Sequence, residues 1–220
     1  MRWHAVIKCD SIKPLRSRLH NRFALVSFAV VVAITTATLI IHGNRESDPD
    51  QIIAWIDGFE LSARDERVPR NPEIIRHISR FGDVNYYSET QKITFISMAA
   101  IRWNDELVLW LLQQGANPNP EEGPLPLHGA VRGKRPSNII IATILLEHGS
   151  DPNRRNPVTG PGDTPLHDAI YFGSAWAIPL LIEFGADPSK TNALGKTPMD
   201  YALSVGDTTI IAMLEPYVSE

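Results

Sequence analysis

Residues 162–188 read GDTPLHDAIYFGSAWAIPLLIEFGADP, and pieces of this stretch occur elsewhere in the chain. Its tail, GADP from Gly185, is echoed by GANP from Gly115 and GSDP from Gly149. Its head, TPLH from Thr164, is echoed by LPLH from Leu125 and TPMD from Thr197. With GDVN added at Gly82, the tail glycines 82, 115, 149 and 185 stand 33, 34 and 36 residues apart. A period of that size marks one supersecondary unit that buries its apolar face only by stacking on copies of itself.

Each part of the phrase has a physical role. Thr164 and Thr197 offer side-chain oxygens to cap a helix, and the proline after each suits the first helical position. Thr94 offers the same cap, with Phe95 in place of the proline. Ala99, Ala130, Ala169 and Ala202 share one position, where a small side chain lets two helices approach. A turn is expected at Gly133, Gly173 and Gly206. The second helix carries Leu111-Leu112, Leu145-Leu146 and Leu181-Ile182. Gly115, Gly149 and Gly185 then supply the left-handed backbone that ends a helix. The unit is helix, turn, helix and a protruding loop.

The head, the tail and the spacing together resemble the ankyrin repeat over about residues 73–220. The resemblance implies an all-α solenoid of helix-turn-helix units with hairpin-like loops. Three full repeats are expected, at about 92–123, 124–161 and 162–194, with a fourth from 195 as C-terminal cap. Residues 49–91 read as an N-terminal helical cap with a partial repeat: Asp48 and Pro49 start a helix, and IIRHISRFGDVN matches a second helix and tail. The departures are Leu125 in the place of a capping threonine, about three extra residues in RGKRPSN, a longer loop NRRNPVTGPGD, Pro179 inside a second helix, and Trp103 in the place of a turn glycine.

The segment before the repeats is a different object. FALVSFAVVVAITTATLII, residues 23–41, has no charge and no proline, and nineteen helical residues reach roughly 28 Å, near the thickness of a bilayer's hydrocarbon. Arg2, Lys8, Lys13, Arg16, Arg18 and Arg22 precede it, and acids dominate after Arg45. The expectation is a basic cytoplasmic stretch at 1–22, one transmembrane signal anchor at 23–41, a linker at 42–48, and the repeats on the far side of an inner membrane, in a periplasm. A cleaved secretory signal, cut after Ala37, is the alternative.

Across the chain 43% of residues are apolar and the formal net charge is −4. Such a chain has no electrostatic footprint for nucleic acid. The one cysteine, Cys9, precedes the apolar run, so the repeats hold no disulfide or thiol chemistry. No phosphate-cradling glycine loop, zinc-protease motif or nucleophile elbow occurs, and no cofactor is expected. His128 and His167 sit at matching positions; in the family resembled, a histidine here bonds within and between repeat turns, and a metal or enzymatic site using nearby carboxylates is the rival reading.

What remains is surface. The resemblance places Arg102, Arg132, Asp168, Tyr171, Phe172 and Tyr201 on the face of the first helices, an aromatic-plus-arginine mixture typical of binding hot spots. Arg154 and Arg155 lie on the lengthened loop and suit an acidic partner. The expected function is non-enzymatic: one protein partner docks on this face. A stoichiometric inhibitor (an immunity protein) of a toxic envelope-acting enzyme such as a lipase effector is one form of it. A scaffold or chaperone for an envelope enzyme is another, and an effector secreted after signal cleavage is a third.

Overall fold

The computed structural model describes residues 48–58, 71–158 and 162–218, all within one unit spanning 47–220. The segments expected at 1–22 and 23–41, and all of the linker but Asp48, lie outside the described residues. No helix among the described residues is long and apolar enough to cross a membrane.

Helices α1 (Pro49–Asp57) and α2 (Asn71–Phe81) form the expected N-terminal cap. Asp48 accepts the amide of Asp50 at 3.0 Å, with Pro49 in the first turn, so the cap signal reads true. Four pairs follow in the order first helix, second helix: α3 (Phe95–Ile101) and α4 (Asp105–Gln113), α5 (Pro126–Val131) and α6 (Pro136–Glu147), α7 (Pro165–Tyr171) and α8 (Ala177–Glu183), and α9 (Pro198–Val205) with α10 (Thr208–Val218), which with the α1–α2 cap complete the stack. Helices α1, α3, α5, α7 and α9 pack in one row, and α2, α4, α6 and α8 in the other. The chain is not purely helical: β1 (Tyr87–Ser88) pairs antiparallel with β2 (Ile93–Thr94), Tyr87 opposite Thr94, in the first protruding loop.

The core lies between the rows. Leu111, Leu145 and Leu181 are fully buried, as are Ala99, Ala130, Ala169 and Ala202 where the helices cross. Each buried leucine contributes roughly 2 kcal/mol by area removed from water, and no single pair could bury its own. Pro179, which has no amide to donate, goes with a late start of its helix: α8 begins only at Ala177 and has seven residues, where α6 has twelve.

Asparagines tie the loops together. Asn85, Asn119 and Asn153 end successive tails, and each Oδ1 accepts the amide of the next tail's second residue but one, Asn117, Asp151 and Asp187, at 2.7–2.8 Å. Asn119 and Asn153 also donate to the carbonyls of Gly149 and Gly185, at 2.8 and 2.7 Å. In the last tail Ser189 stands in this place and bonds to its own Asp187, so the ladder stops there.

Candidate functional site

The third residue after each head position shows how the sequence departures reshape the stack. In the third repeat, His167 Nδ1 receives the Thr164 hydroxyl at 2.8 Å and the Thr164 amide at 3.3 Å, while Nε2–H donates to the Lys196 carbonyl at 2.9 Å. Thr164 therefore donates its hydroxyl proton to the histidine within a capping box, and Thr197 and Thr94 accept the amides of Asp200 and Ser97. Burial holds the His167 imidazole below its ordinary 6.5, in keeping with the acceptor role of Nδ1.

Leu125 offers no hydroxyl, and α5 has no side-chain cap. His128 Nδ1 turns instead to Asp168 of the next repeat, 2.6 Å from Oδ2, and Nε2 lies 2.9 Å from the Arg154 carbonyl. The Asp168 Oδ2 also accepts from Arg132, Nη2 at 3.0 Å and Nε at 3.2 Å. Asp168 is 5% exposed, so it works as a joint between two repeats and not as a presented group. Both histidines of the rival metal reading are thus engaged in hydrogen bonds, and no group of three ligand-type residues among the described residues is placed to hold an ion.

The other expected residues separate into three places. Tyr171 and Phe172 are 65% and 41% exposed, their rings edge to face at 5.2 Å, and the Arg132 guanidinium lies 5.2 Å over the Phe172 ring. Arg102 joins this end of the face but is paired with Asp57 of α1. Tyr201 is elsewhere: its hydroxyl donates to Asp163 and its ring packs on His167. Burial, together with that carboxylate, pushes the Tyr201 phenol up to about 12. Arg154 donates to the carbonyls of Asn119 and Pro120 at 3.0 and 2.8 Å, and Arg155 to that of Thr191. These two arginines staple the lengthened loop to its neighbours on either side.

Sequence reading noted Trp103 in a glycine's place without saying what it does there, and passed over Arg135. Trp103 adopts φ +57, the conformation that Gly173 and Gly206 adopt at φ +65 and +75 in the corresponding turns. The Arg135 guanidinium stacks 3.8 Å above its ring. Gly133 lies in the expected turn, between Val131 and Pro136, but does not take the left-handed conformation of Gly173 and Gly206. Glycine is needed there for a different reason, since a Cβ would lie 2.3 Å from the Asn138 side chain.

A family model described as ankyrin repeats, three copies, matches residues 140–217. Cyclin-dependent kinase inhibitor 2A of Monodelphis domestica is 32% identical over 127 residues, covering 57% of this chain and 71% of that protein. The chain belongs to the ankyrin-repeat family. An ankyrin repeat protein of Fowlpox virus (strain NVSL) is 33% identical over 156 residues, 66% of this chain and 44% of that one. The mitochondrial disaggregase of Bos taurus is 30% identical over 174 residues, 78% of this chain and 24% of that one. The chain spans less than half of the last two relatives. The ankyrin stack reaches further than the stretch matched by the family model: the pair built on Thr94-Phe95 and the first helix of the pair built on Leu125 lie before residue 140, and those are the heads that depart most from the phrase. An ankyrin stack is a scaffold for protein–protein interaction, and on the first-helix face this one exposes two adjacent aromatic side chains, Tyr171 and Phe172.

Proposed function

We propose that this ankyrin-repeat chain binds one protein partner through its first-helix face, without catalysis. The observation that carries the proposal is the exposed Tyr171–Phe172 pair with Arg132 over it, large apolar rings left open to water on a preformed surface. Such a surface loses little ordering entropy on docking. The apolar run at 23–41 and its basic N-terminal flank support a single-pass anchor in an inner membrane, N-terminus inside, with the repeats in a bacterial periplasm. On that footing the partner is an envelope protein. The specific form we favour is a stoichiometric inhibitor, an immunity protein against a toxic envelope-acting enzyme such as a lipase effector. The Monodelphis domestica relative is itself named as an inhibitor of an enzyme, the same class of action.

Affinity capture with the full chain from membranes of the encoding organism tests the reading. One stoichiometric protein, lost on Tyr171→Ala with Phe172→Ala, is expected. Capture unchanged by that double variant places the contact elsewhere. Protection of growth against a captured toxin supports the inhibitor; capture of a housekeeping complex with no effect on toxin sensitivity supports the scaffold.

A further inference from the structure

Arginines bridge the second and third gaps between the protruding loops. Arg154 reaches back from the third loop to the carbonyls of Asn119 and Pro120 in the second, and Arg155 reaches forward to that of Thr191 in the fourth. Counted from the tail glycines Gly115 and Gly149, Pro120 and Glu121 stand in the second loop where Arg154 and Arg155 stand in the third. Between the first loop and the second lies a cavity of about 310 Å³. Its lining includes Ile96 of α3, Tyr87 of β1, Pro120, Glu121 and Glu122. A cavity at the lower end of the roughly 300–1,000 Å³ of ligand pockets has room for one long side chain.

Packing fixes the walls of this cavity. Gly123 has φ +78, and a Cβ on it would lie 3.0 Å from the Lys92 carbonyl oxygen and 3.1 Å from Tyr87 Cε2. The second loop therefore lies directly on the hairpin of β1 and β2, with Glu121 and Glu122 in the same cavity as the Tyr87 ring. Ile96 is buried and supplies an apolar wall. Glu121 and Glu122 are exposed, and neither makes an ion pair or a hydrogen bond among the described residues. Residues 82–94 and 115–125 carry four acids, Asp83, Glu89, Glu121 and Glu122, against one base, Lys92. Lys92 is paired with Glu89 at 2.7 Å. Two unpaired carboxylates beside an aromatic ring favour a cation, which bonds the first and lies against the second.

We infer that this cavity takes one arginine side chain of the partner protein. Its guanidinium bonds the carboxylates of Glu121 and Glu122 and stacks on the Tyr87 ring, and its methylenes lie against Ile96 and Pro120. The next gap shows the fit, since a guanidinium of this chain already joins two loops there. In the first gap the corresponding positions hold a proline and a glutamate, so the cation comes from outside. The inference rests on the proposed protein-binding reading and names a residue that the partner supplies.

Selection of a random dodecapeptide phage library on the immobilised full chain tests it, followed by titration of the winning peptide by fluorescence polarisation. The enriched sequences are expected to share an arginine, and replacing that arginine by glutamine weakens the peptide at least fivefold. Glu121→Gln with Glu122→Gln, isosteric changes at exposed positions, does the same to the parent peptide and costs the altered peptide nothing further. Glu89→Gln removes an acid of the first loop that does not line the cavity, and leaves binding within twofold. No enrichment, enrichment of peptides without a shared arginine, a loss under fivefold in the Glu121 and Glu122 variant, or a loss above twofold for Glu89→Gln overturns the inference. A natural partner lost on replacing Tyr171 and Phe172, yet indifferent to the Glu121 and Glu122 variant, would leave the first-helix face standing as the binding surface while removing the arginine site.

Discussion

The joint between the second and third repeats gives a prediction that neither repeat gives alone. His128 and Asp168 are both buried, Nδ1 and Oδ2 lie 2.6 Å apart, and Arg132 reaches the same oxygen at 3.0 Å. Asp168→Ala removes three hydrogen bonds. Arg132 keeps partial access to water, with 29% of its side chain exposed, and regains part of its loss by hydration. The His128 Nδ1 does not, and a buried polar group left unmade costs about 1–3 kcal/mol. Adding the lost charge-assisted bond puts Asp168→Ala at about 3 kcal/mol, read from urea unfolding of the full chain. The sequence also supplies a rescue. Thr164 gives its hydroxyl to His167 Nδ1, and Leu125 stands at Thr164's position in the second repeat. Leu125→Thr loses buried apolar area in any background, since Leu125 is only 3% exposed. In the Asp168→Ala background it also offers His128 a hydroxyl. The cost of Leu125→Thr is therefore smaller there than in the parent by about 1 kcal/mol, the worth of one neutral hydrogen bond. Equal costs in the two backgrounds, or an Asp168→Ala loss under 1 kcal/mol, would refute the assignment of Asp168 as a structural joint.

Other outcomes follow from the same structure. Lowering the pH from 7.5 to 5.5 destabilises the stack through His167. Its imidazole titrates below 6.5 when folded, so the unfolded chain takes up the proton first and stability falls as pH drops through that value; the urea midpoint should fall, and fall less in His167→Gln. The carboxyls of Asp50, Asp187 and Asp200, all held below 3.8, stay ionised in both states over that window. Leu145→Ala, at a fully buried position, costs about 2–5 kcal/mol by denaturant unfolding, whereas Leu109→Ala, at a position 36% exposed, costs under about 1 kcal/mol. Asn119→Ala breaks the ladder between two tails, costs about 1 kcal/mol, and speeds hydrogen exchange at the Asp151 amide, which its side chain now holds at 2.8 Å. Spectrophotometric titration should find one phenol, Tyr201, ionising near 12.

The stack itself was legible because its signals are local and repeated. A threonine, a proline two helices' worth of alanine and leucine, and a glycine at a fixed offset dictate the unit wherever they occur, and Asp48-Pro49 announced α1 without any repeat at all. Leu125, Pro179 and Trp103 were visible as departures, and the first two go with an uncapped α5 and a short α8. What Trp103 does was not legible. Its left-handed turn follows from alignment with Gly173 and Gly206, but the stacked Arg135 arrives from an insertion whose path no local signal fixes. The candidate site suffered more. Arg132, Tyr171 and Phe172 come together as their periodicity implies, since they sit on equivalent faces of adjacent first helices. Asp168, Tyr201, Arg154 and Arg155 share that periodicity or lie on loops, yet their polar ends reach partners 34 to 40 residues away in sequence, among them His128, Asp163 and the carbonyls of Asn119 and Pro120. Pairing across repeats depends on three-dimensional register, which a single repeat does not record.

Site-specific photocrosslinking tests the central claim most directly. A benzophenone amino acid placed at Tyr171, on the first-helix face, and in a separate chain at Ile139, on α6 and 45% exposed, would be irradiated in cells of the encoding organism. One discrete adduct from position 171 and none from position 139 is the predicted result. An adduct from position 139 alone would contradict the assignment of the binding face.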